Sequence, residues 1–364
     1  MRICFVLPTV NPSGGIKVAL IYANKLAEMG HTVTVVSAKP EAPSFKQIVQ
    51  SLFRLKLRTN AQWASFEGWS GDHLILSKPQ LTEGSAFPDA DVVVATWWET
   101  AEWVAHLHPT KGAKAYFIQG HEVFDNLPID RVMATYRQPF HRIVISKWLM
   151  RTLQDTYGLD GLELVSNSYD SEQFYAVERN KALVPTVGFL YSETVAKGTD
   201  VVLGAIDLLK TRFPNIRVVS FGTAAPKSDL LLGTNFEFHL LPQQDAIRTI
   251  YSQCDVWIAG SRSEGFNLTA LEAMACRTPL VSTRTGWPCD GVIDGQNGYL
   301  VGVDDVASLA SVAEKVLELP NGDWQKMSLQ AYETASSGSW EASAKAFETS
   351  LVKCVAQQSL RSPE

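Results

Sequence analysis

Two carboxylates carry the chemical signal of this chain. Glu264 lies in a glycine-flanked turn, Ser263-Glu264-Gly265-Phe266-Asn267. Glu272 follows eight positions on, in a run that reads as a helix beginning near Leu268. An apolar strand-like run, CDVWIAGS, delivers the chain to this turn, and another, PLVST, leaves it. The first amides of a helix lack carbonyl partners and carry partial positive charge, which suits a diphosphate. A carboxylate one turn into the helix can accept from two vicinal hydroxyls, and one in the turn points toward whatever the phosphates carry. On residue types alone a plainer reading stands beside this one: Glu272 as an acid favoured in a first helical turn, and Glu264 as a solvated loop charge.

Other groups fall at strand ends, where open parallel sheets collect ligands. Gly14 and Gly15 follow the first strand and precede a helix. They form either an anion-facing loop or an ordinary tight turn. The dinucleotide pattern needs a third glycine and an acid closing the second strand, and here that strand ends in Ser-Ala-Lys39. His121 and Glu122 follow the strand AYFIQG, as a catalytic and an acceptor-side candidate; a loop histidine is the alternative for His121. Trp97, Trp98 and Trp103 follow another strand and either stack on acceptor sugars or belong to the core. Asp89-Ala-Asp91 has the D-x-D form of a metal site, but it precedes its strand and reads as a polar strand entry.

The elements that must position these groups come in two series. Residues 3–7 (ICFVL) are a continuous apolar run, as a doubly buried strand requires. Ile16, Ala19, Leu20, Ala23 and Ala27 then mark one helical face, Gly30 ends it, and VTVVS is the second strand. Strands at 92–97, 115–120, 142–146 and 162–166 follow. The alternation restarts at 186–192, with VVLGAIDLLKTRF as a helix, IRVVSFG and FEFHL as strands and a helix near 244–252. Alternating strands and helices specify parallel sheets covered on both faces, an α/β fold. The 364 residues suit two domains, with a boundary expected in the aperiodic stretch 168–185. The expected division is 1–175, 176–338 and a last helical segment, 339–364, returning to the first domain.

Composition narrows the class. The chain is 46% hydrophobic and 19% charged with a net charge of −6, against the basic face of a nucleic-acid binder. Five dispersed cysteines, Cys4, Cys254, Cys276, Cys289 and Cys354, read as free thiols of a reducing compartment and offer no zinc pattern. No stretch reaches the length of a membrane span, and the apolar part of MRICFVLPTV is too short for a signal peptide. In 45–58, Phe45, Ile48, Val49, Leu52 and Phe53 share one helical face, and Lys46, Arg54, Lys56 and Arg58 supply four positive charges. This is a candidate peripheral membrane contact, or a surface helix packed on the sheet.

The stretch E264-G-F-N-L-T-A-L-E272 closely resembles the glutamate–seven residues–glutamate signature of retaining glycosyltransferases of family 4. Further segments agree in order: S13-G-G, I145-S-K-W-L, N167-S-Y-D170, A196-K-G-T-D200, Y251-S-Q-C-D-V, G295-Q-N-G-Y-L-V and S339-W-E. The resemblance implies the GT-B fold, two Rossmann-like domains facing each other across a cleft, with acceptor binding in the first and donor binding in the second. It makes Glu272 the ribose ligand, Glu264 the catalytic carboxylate on the sugar side, Gly265, Phe266, Asn267 and Leu268 the phosphate cradle, and Lys197 the phosphate cation, with Gly14, Gly15 and His121 contributing. The implied activity is metal-independent, cofactor-free transfer of a hexose from a nucleoside diphosphate sugar to an acceptor hydroxyl with retention. The implied setting is cell-surface glycan or glycolipid synthesis, in the cytoplasm or on the inner membrane face. A sugar-nucleotide epimerase of the same fold and a non-catalytic nucleotide-sugar binder are the rivals. One departure is expected to matter. The family's arginine on the first strand of the second domain is replaced, after Gly188, by Phe189, leaving Ser192 or Tyr191 to assist Lys197. Arg277, where a glycine is common, is expected to affect only its turn.

Overall fold

The computed structural model describes residues 1–10, 13–39, 69, 71–77, 86–124, 126–226 and 235–361. The amphipathic stretch 45–58 lies outside the described residues. The chain divides into two compact units: Met1–Ile145 with Thr152–Val165 and Glu341–Glu364, and Ser146–Arg151 with Ser166–Trp340. The change therefore falls at Val165/Ser166 rather than near 175, and the first residues of one helix group with the second unit.

The first unit holds a seven-stranded parallel sheet in the order β3-β2-β1-β4-β5-β6-β7. Its strands are β1 (Arg2–Thr9), β2 (Thr32–Ala38), β3 (Asp72–Leu76), β4 (Val92–Ala95), β5 (Ala113–Ile118), β6 (His141–Val144) and β7 (Leu162–Leu164). β1 lies inside the sheet because Ile3–Leu7 is apolar on both faces and fully buried. It pairs in register with β2 (Cys4↔Thr34) and β4 (Cys4↔Val93). Helix α1 (Gly14–Glu28) packs Ala19, Tyr22, Ala23 and Leu26 inward. It closes on Gly30 (φ 90°), whose left-handed conformation lets the His31 amide reach the Leu26 carbonyl at 3.1 Å. The strand expected at 92–97 stops at Ala95, because the Thr100 hydroxyl accepts from the Thr96 and Trp97 amides and starts helix α2 (Trp98–His106). Two further helices, α3 (Ile129–Tyr136) and α4 (Lys147–Tyr157), complete the first series. The edge strand β3 has no counterpart among the sequence expectations: its DHLIL is polar-led and mostly exposed.

The second unit holds a six-stranded parallel sheet, β10-β9-β8-β11-β12-β13. Its strands are β8 (Thr186–Tyr191), β9 (Arg217–Gly222), β10 (Phe236–Leu240), β11 (Val256–Ala259), β12 (Leu280–Thr283) and β13 (Gly298–Val301). Helices α5 (Thr199–Arg212), α6 (Gln244–Ser252), α7 (Leu268–Ala275), α8 (Pro288–Gly291), α9 (Val306–Glu318) and α10 (Asn321–Ala335) surround it. Val187, Phe189, Val201, Ile206, Leu309 and Trp324 sit in one core cluster. Helix α11 (Trp340–Arg361) belongs from Glu341 onward to the first unit. There Phe347 stacks on Tyr22 (4.6 Å) and meets Phe117 edge-on (5.0 Å). Among the described residues no helix is long and apolar enough to cross a membrane.

Candidate active site

Each sheet reverses its strand order once, between β1 and β4 in the first unit and between β8 and β11 in the second. At such a switch point the connections leave to opposite sides and open a crevice at the carboxyl ends.

In the second unit, β8 leads to a short 3-10 turn, Val195–Lys197, and β11 leads to the Glu264 turn. Lys197 Nζ donates to both Glu264 oxygens, at 2.8 and 3.0 Å. Ser261 Oγ donates to Glu264 Oε1 at 2.8 Å, so this carboxylate, only 9% exposed, is held from two sides. Two glycines permit the approach. Gly198 is left-handed (φ 58°), and a Cβ there would lie 1.9 Å from the Gly260 carbonyl. Gly286 (φ 63°) sits where a Cβ would be 2.7 Å from the Phe266 carbonyl and 2.9 Å from Glu264 Cβ.

Helix α7 begins at Leu268, as its sequence indicates. Asn267 caps it from the left-handed region (φ 78°), its side chain accepting from the Ala270 amide, and Thr269 Oγ1 donates to Asn267 Oδ1 at 2.8 Å. Asparagine tolerates this conformation better than other non-glycine residues. The Asn267 side chain thus serves the cap, and the amides of Leu268 and Thr269 have no intrahelical carbonyl to serve them. The Gly265 carbonyl accepts from Ser146 Oγ at 2.7 Å, which fixes how that peptide faces. The Phe266 ring is buried against Trp287, so only its backbone can contribute to a cradle. Glu272, half-buried, accepts a 2.8 Å hydrogen bond from the Tyr251 hydroxyl. Tyr251 is fully buried, and its phenol is pushed well above its ordinary pKa by desolvation and by the neighbouring Glu272.

Phe189, in place of the family's arginine, lies mid-strand in the core, fully buried beside Phe236. The residue just past the carboxyl end of β8 is Ser192, whose amide donates to Thr199 Oγ1 and whose Oγ accepts from the Thr194 amide. Arg277 is left-handed (φ 60°) just past α7, as a glycine would be. Its side chain is nevertheless used, donating to the Ala176 carbonyl at 3.1 Å and lying over Tyr332.

In the first unit, Gly14 and Gly15 are the first residues of α1, neither with positive φ, and Gln119 Nε2 donates to the Gly15 carbonyl at 3.0 Å. They are helix-start glycines rather than a tight turn. His121, half-buried, shares a 2.7 Å hydrogen bond between Nε2 and the Tyr157 hydroxyl, and burial lowers its pKa. Trp97 is half-buried at the carboxyl end of β4. Trp98 is core, with Arg131 over its ring at 5.0 Å, and Trp103 lies on α2. Glu122 is a correction to the acceptor-side assignment. It is 3% exposed, its Oε2 accepts from the Trp98 amide at 3.0 Å, and desolvation raises its pKa well above the carboxylate range. A carboxyl so enclosed cannot touch an acceptor. Asp91 is taken by the backbone and guanidinium of Arg2, and Asp89 by Lys111. Among the described residues no cluster of His, Cys, Asp or Glu is arranged to hold a metal ion.

Sequence reasoning missed Tyr251, Ser261, Arg262, Gln119 and Tyr157. Ser261 could have been found from its place between strand and Glu264; Arg262 and the others are distant in sequence from the groups they bond.

Residues 170–335 match the family model described as glycosyl transferases group 1. The chain is 32% identical over 151 residues to an uncharacterized glycosyltransferase of Methanocaldococcus jannaschii, covering 40% of this chain and 41% of that one. It is 28% identical over 220 residues to the glycogen synthase of Mycobacterium tuberculosis, covering 57% and 51%. The chain thus spans about half or less of the length of these relatives. Among solved structures, HepE of Anabaena in complex with UDP matches with a TM-score of 0.76 at 14% identity, over 97% of this chain and 100% of that one. The fold is GT-B, built of two parallel-sheet α/β units.

Proposed function

We propose that this chain, whose residues 170–335 match the model of the glycosyl transferases group 1 family, transfers a hexose from a nucleoside diphosphate sugar to an acceptor hydroxyl with retention at the anomeric carbon. The observation that carries the reading is the pairing of Lys197 with Glu264 at the switch point of the second sheet, beside the amino end of α7. The complex of HepE with UDP-glucose supports a donor of this chemical class.

In this reading Lys197 and the Leu268 and Thr269 amides receive the diphosphate, whose charge grows as the glycosidic bond breaks. Stabilising a leaving group is the largest electrostatic demand of such a reaction. Glu264 lies on the sugar side, where an oxocarbenium-like centre develops, and Glu272 takes the ribose hydroxyls. Gly14 and Gly15 offer helix-start amides, and His121 a neutral imidazole. Neither a metal ion nor an organic cofactor has a role in it, and the acceptor belongs to glycan or glycolipid synthesis.

A panel of nucleoside diphosphate sugars, scored by thermal stabilisation, tests the donor class. A ligand at 100 times its dissociation constant adds about 2.7 kcal/mol. The stabilising donor is then incubated with sugar and lipid-linked acceptors in the presence of a chelator, and the anomer of the product is read by NMR. Transfer with retention, undiminished by chelation, is expected. An inverted product, loss of activity restored by magnesium or manganese, or release of an epimerised sugar without acceptor would each overturn the corresponding part.

A further inference from the structure

Lys197 sits on a turn that does little to hold itself. Val195–Lys197 is three residues long, its own bonds are Lys197 N–H to the Thr194 carbonyl (2.9 Å) and Gly198 N–H to the Val195 carbonyl (3.1 Å), and Val195 is 74% exposed. Arg262 adds a bond to each of the two carbonyls ahead of the lysine. Its amide donates to the Ala196 carbonyl at 2.8 Å, and its Nη1 donates to the Val195 carbonyl at 2.9 Å. The guanidinium is aimed by two carboxylates. Asp200, in the first turn of α5, accepts from Nη1 and Nη2 at 2.9 and 2.6 Å, and Asp304 accepts from Nε at 2.7 Å. Asp304 adopts a left-handed backbone (φ 61°), a strained conformation kept only where its surroundings enforce it.

We propose that Arg262 is a positioning residue for Lys197, fixing the turn that presents the lysine to a diphosphate without itself touching the ligand. This rests on the reading of Lys197 as the diphosphate cation. The charge count favours position over attraction: one guanidinium faces two carboxylates, so the cluster brings no net positive charge to an anion. Exposure argues in the same direction. Asp200 and Asp304 are 69% and 55% exposed, and ion pairs in such surroundings add little to stability. A lysine at 262 would keep the charge and lose the planar fork that reaches three acceptors at once.

The test is a double-mutant cycle on the full chain, read by calorimetric titration with UDP, GDP and ADP and with the matching free nucleosides. Arg262→Ala is expected to weaken diphosphate binding about tenfold and leave nucleoside binding unchanged, and Arg262→Lys to behave like the alanine variant. In a Lys197→Ala background, Arg262→Ala is expected to change diphosphate affinity by less than about twofold, because contacting positions couple while independent ones add. Full additivity would overturn the proposal, as would equal weakening of nucleoside and diphosphate. If Arg262→Ala lowers the melting temperature, Asp304→Asn, which releases one side of the fork, carries the same cycle and the same expectations. Failure of the unmodified chain to bind any of the three diphosphates would overturn the reading of Lys197 itself, a result distinct from additivity.

Discussion

Replacing Glu264 with glutamine should tighten nucleoside diphosphate binding while suppressing turnover. Both oxygens of the carboxylate accept from Lys197, at 2.8 and 3.0 Å, so the lysine is already engaged before any ligand arrives. Two unit charges 3 Å apart attract by about 5–6 kcal/mol at an effective dielectric constant near 20. That gross figure is far from a net one: the lysine is 36% exposed, and solvent returns most of it. A net contribution of about 1–1.4 kcal/mol, the scale of an ordinary hydrogen bond and below that of a fully buried charged one, is the part a competing phosphate must overcome. Glutamine keeps the shape and the Ser261 contact, and it removes that competition. Affinity for the free diphosphate should therefore rise about five- to tenfold. Turnover should fall by at least about 100-fold, the usual scale for losing one electrostatic contact in the transition state. Calorimetry with the free nucleotide and steady-state rates with the full donor measure the two effects separately. Weaker nucleotide binding in Glu264→Gln, or unchanged turnover, would refute the argument.

Two other substitutions are informative. Glu272→Ala should weaken nucleoside and nucleoside diphosphate alike by about 10- to 150-fold, with turnover at saturating donor less affected, and Tyr251→Phe should produce a smaller loss of the same kind. An effect of Glu272→Ala confined to turnover would remove the ribose assignment. Glu122 gives a pH signature: its folded pKa is raised by burial, so the folded chain keeps a proton that the unfolded chain loses above about 4.3. Stability should fall as pH rises from there toward the folded pKa, and be fully present below the unfolded value. Thermal melts of Glu122→Gln and the unmodified chain should agree near pH 4 and diverge in favour of the glutamine as pH increases; parallel curves at every pH would contradict this.

The sequence by itself determined most strands of the two series, the largely exposed edge strand β3 excepted, because doubly buried strands must be continuous apolar runs, and Ile3–Leu7 is one. It also fixed the start of α7, where Asn267 closes a turn and an apolar helix follows. It could mark Glu264, Glu272 and Lys197 as candidates but not pair them, since Lys197 and Glu264 are 67 residues apart and meet only because β8 and β11 are neighbours in the sheet. Tertiary structure likewise decided Glu122. A glutamate after a strand has the same sequence signature whether it faces solvent or a helix start, and only the packing of α2 encloses this one. Phe189 shows the converse: its match to the family's arginine says only which strand it is on, while the fold puts it mid-strand in the core, with Ser192 just past the strand's end. Arg262 was silent for a related reason. An arginine between strand and loop is ordinary until its partners are known, and those partners come from α5 and from the segment after β13, which only the folded sheet brings to one place.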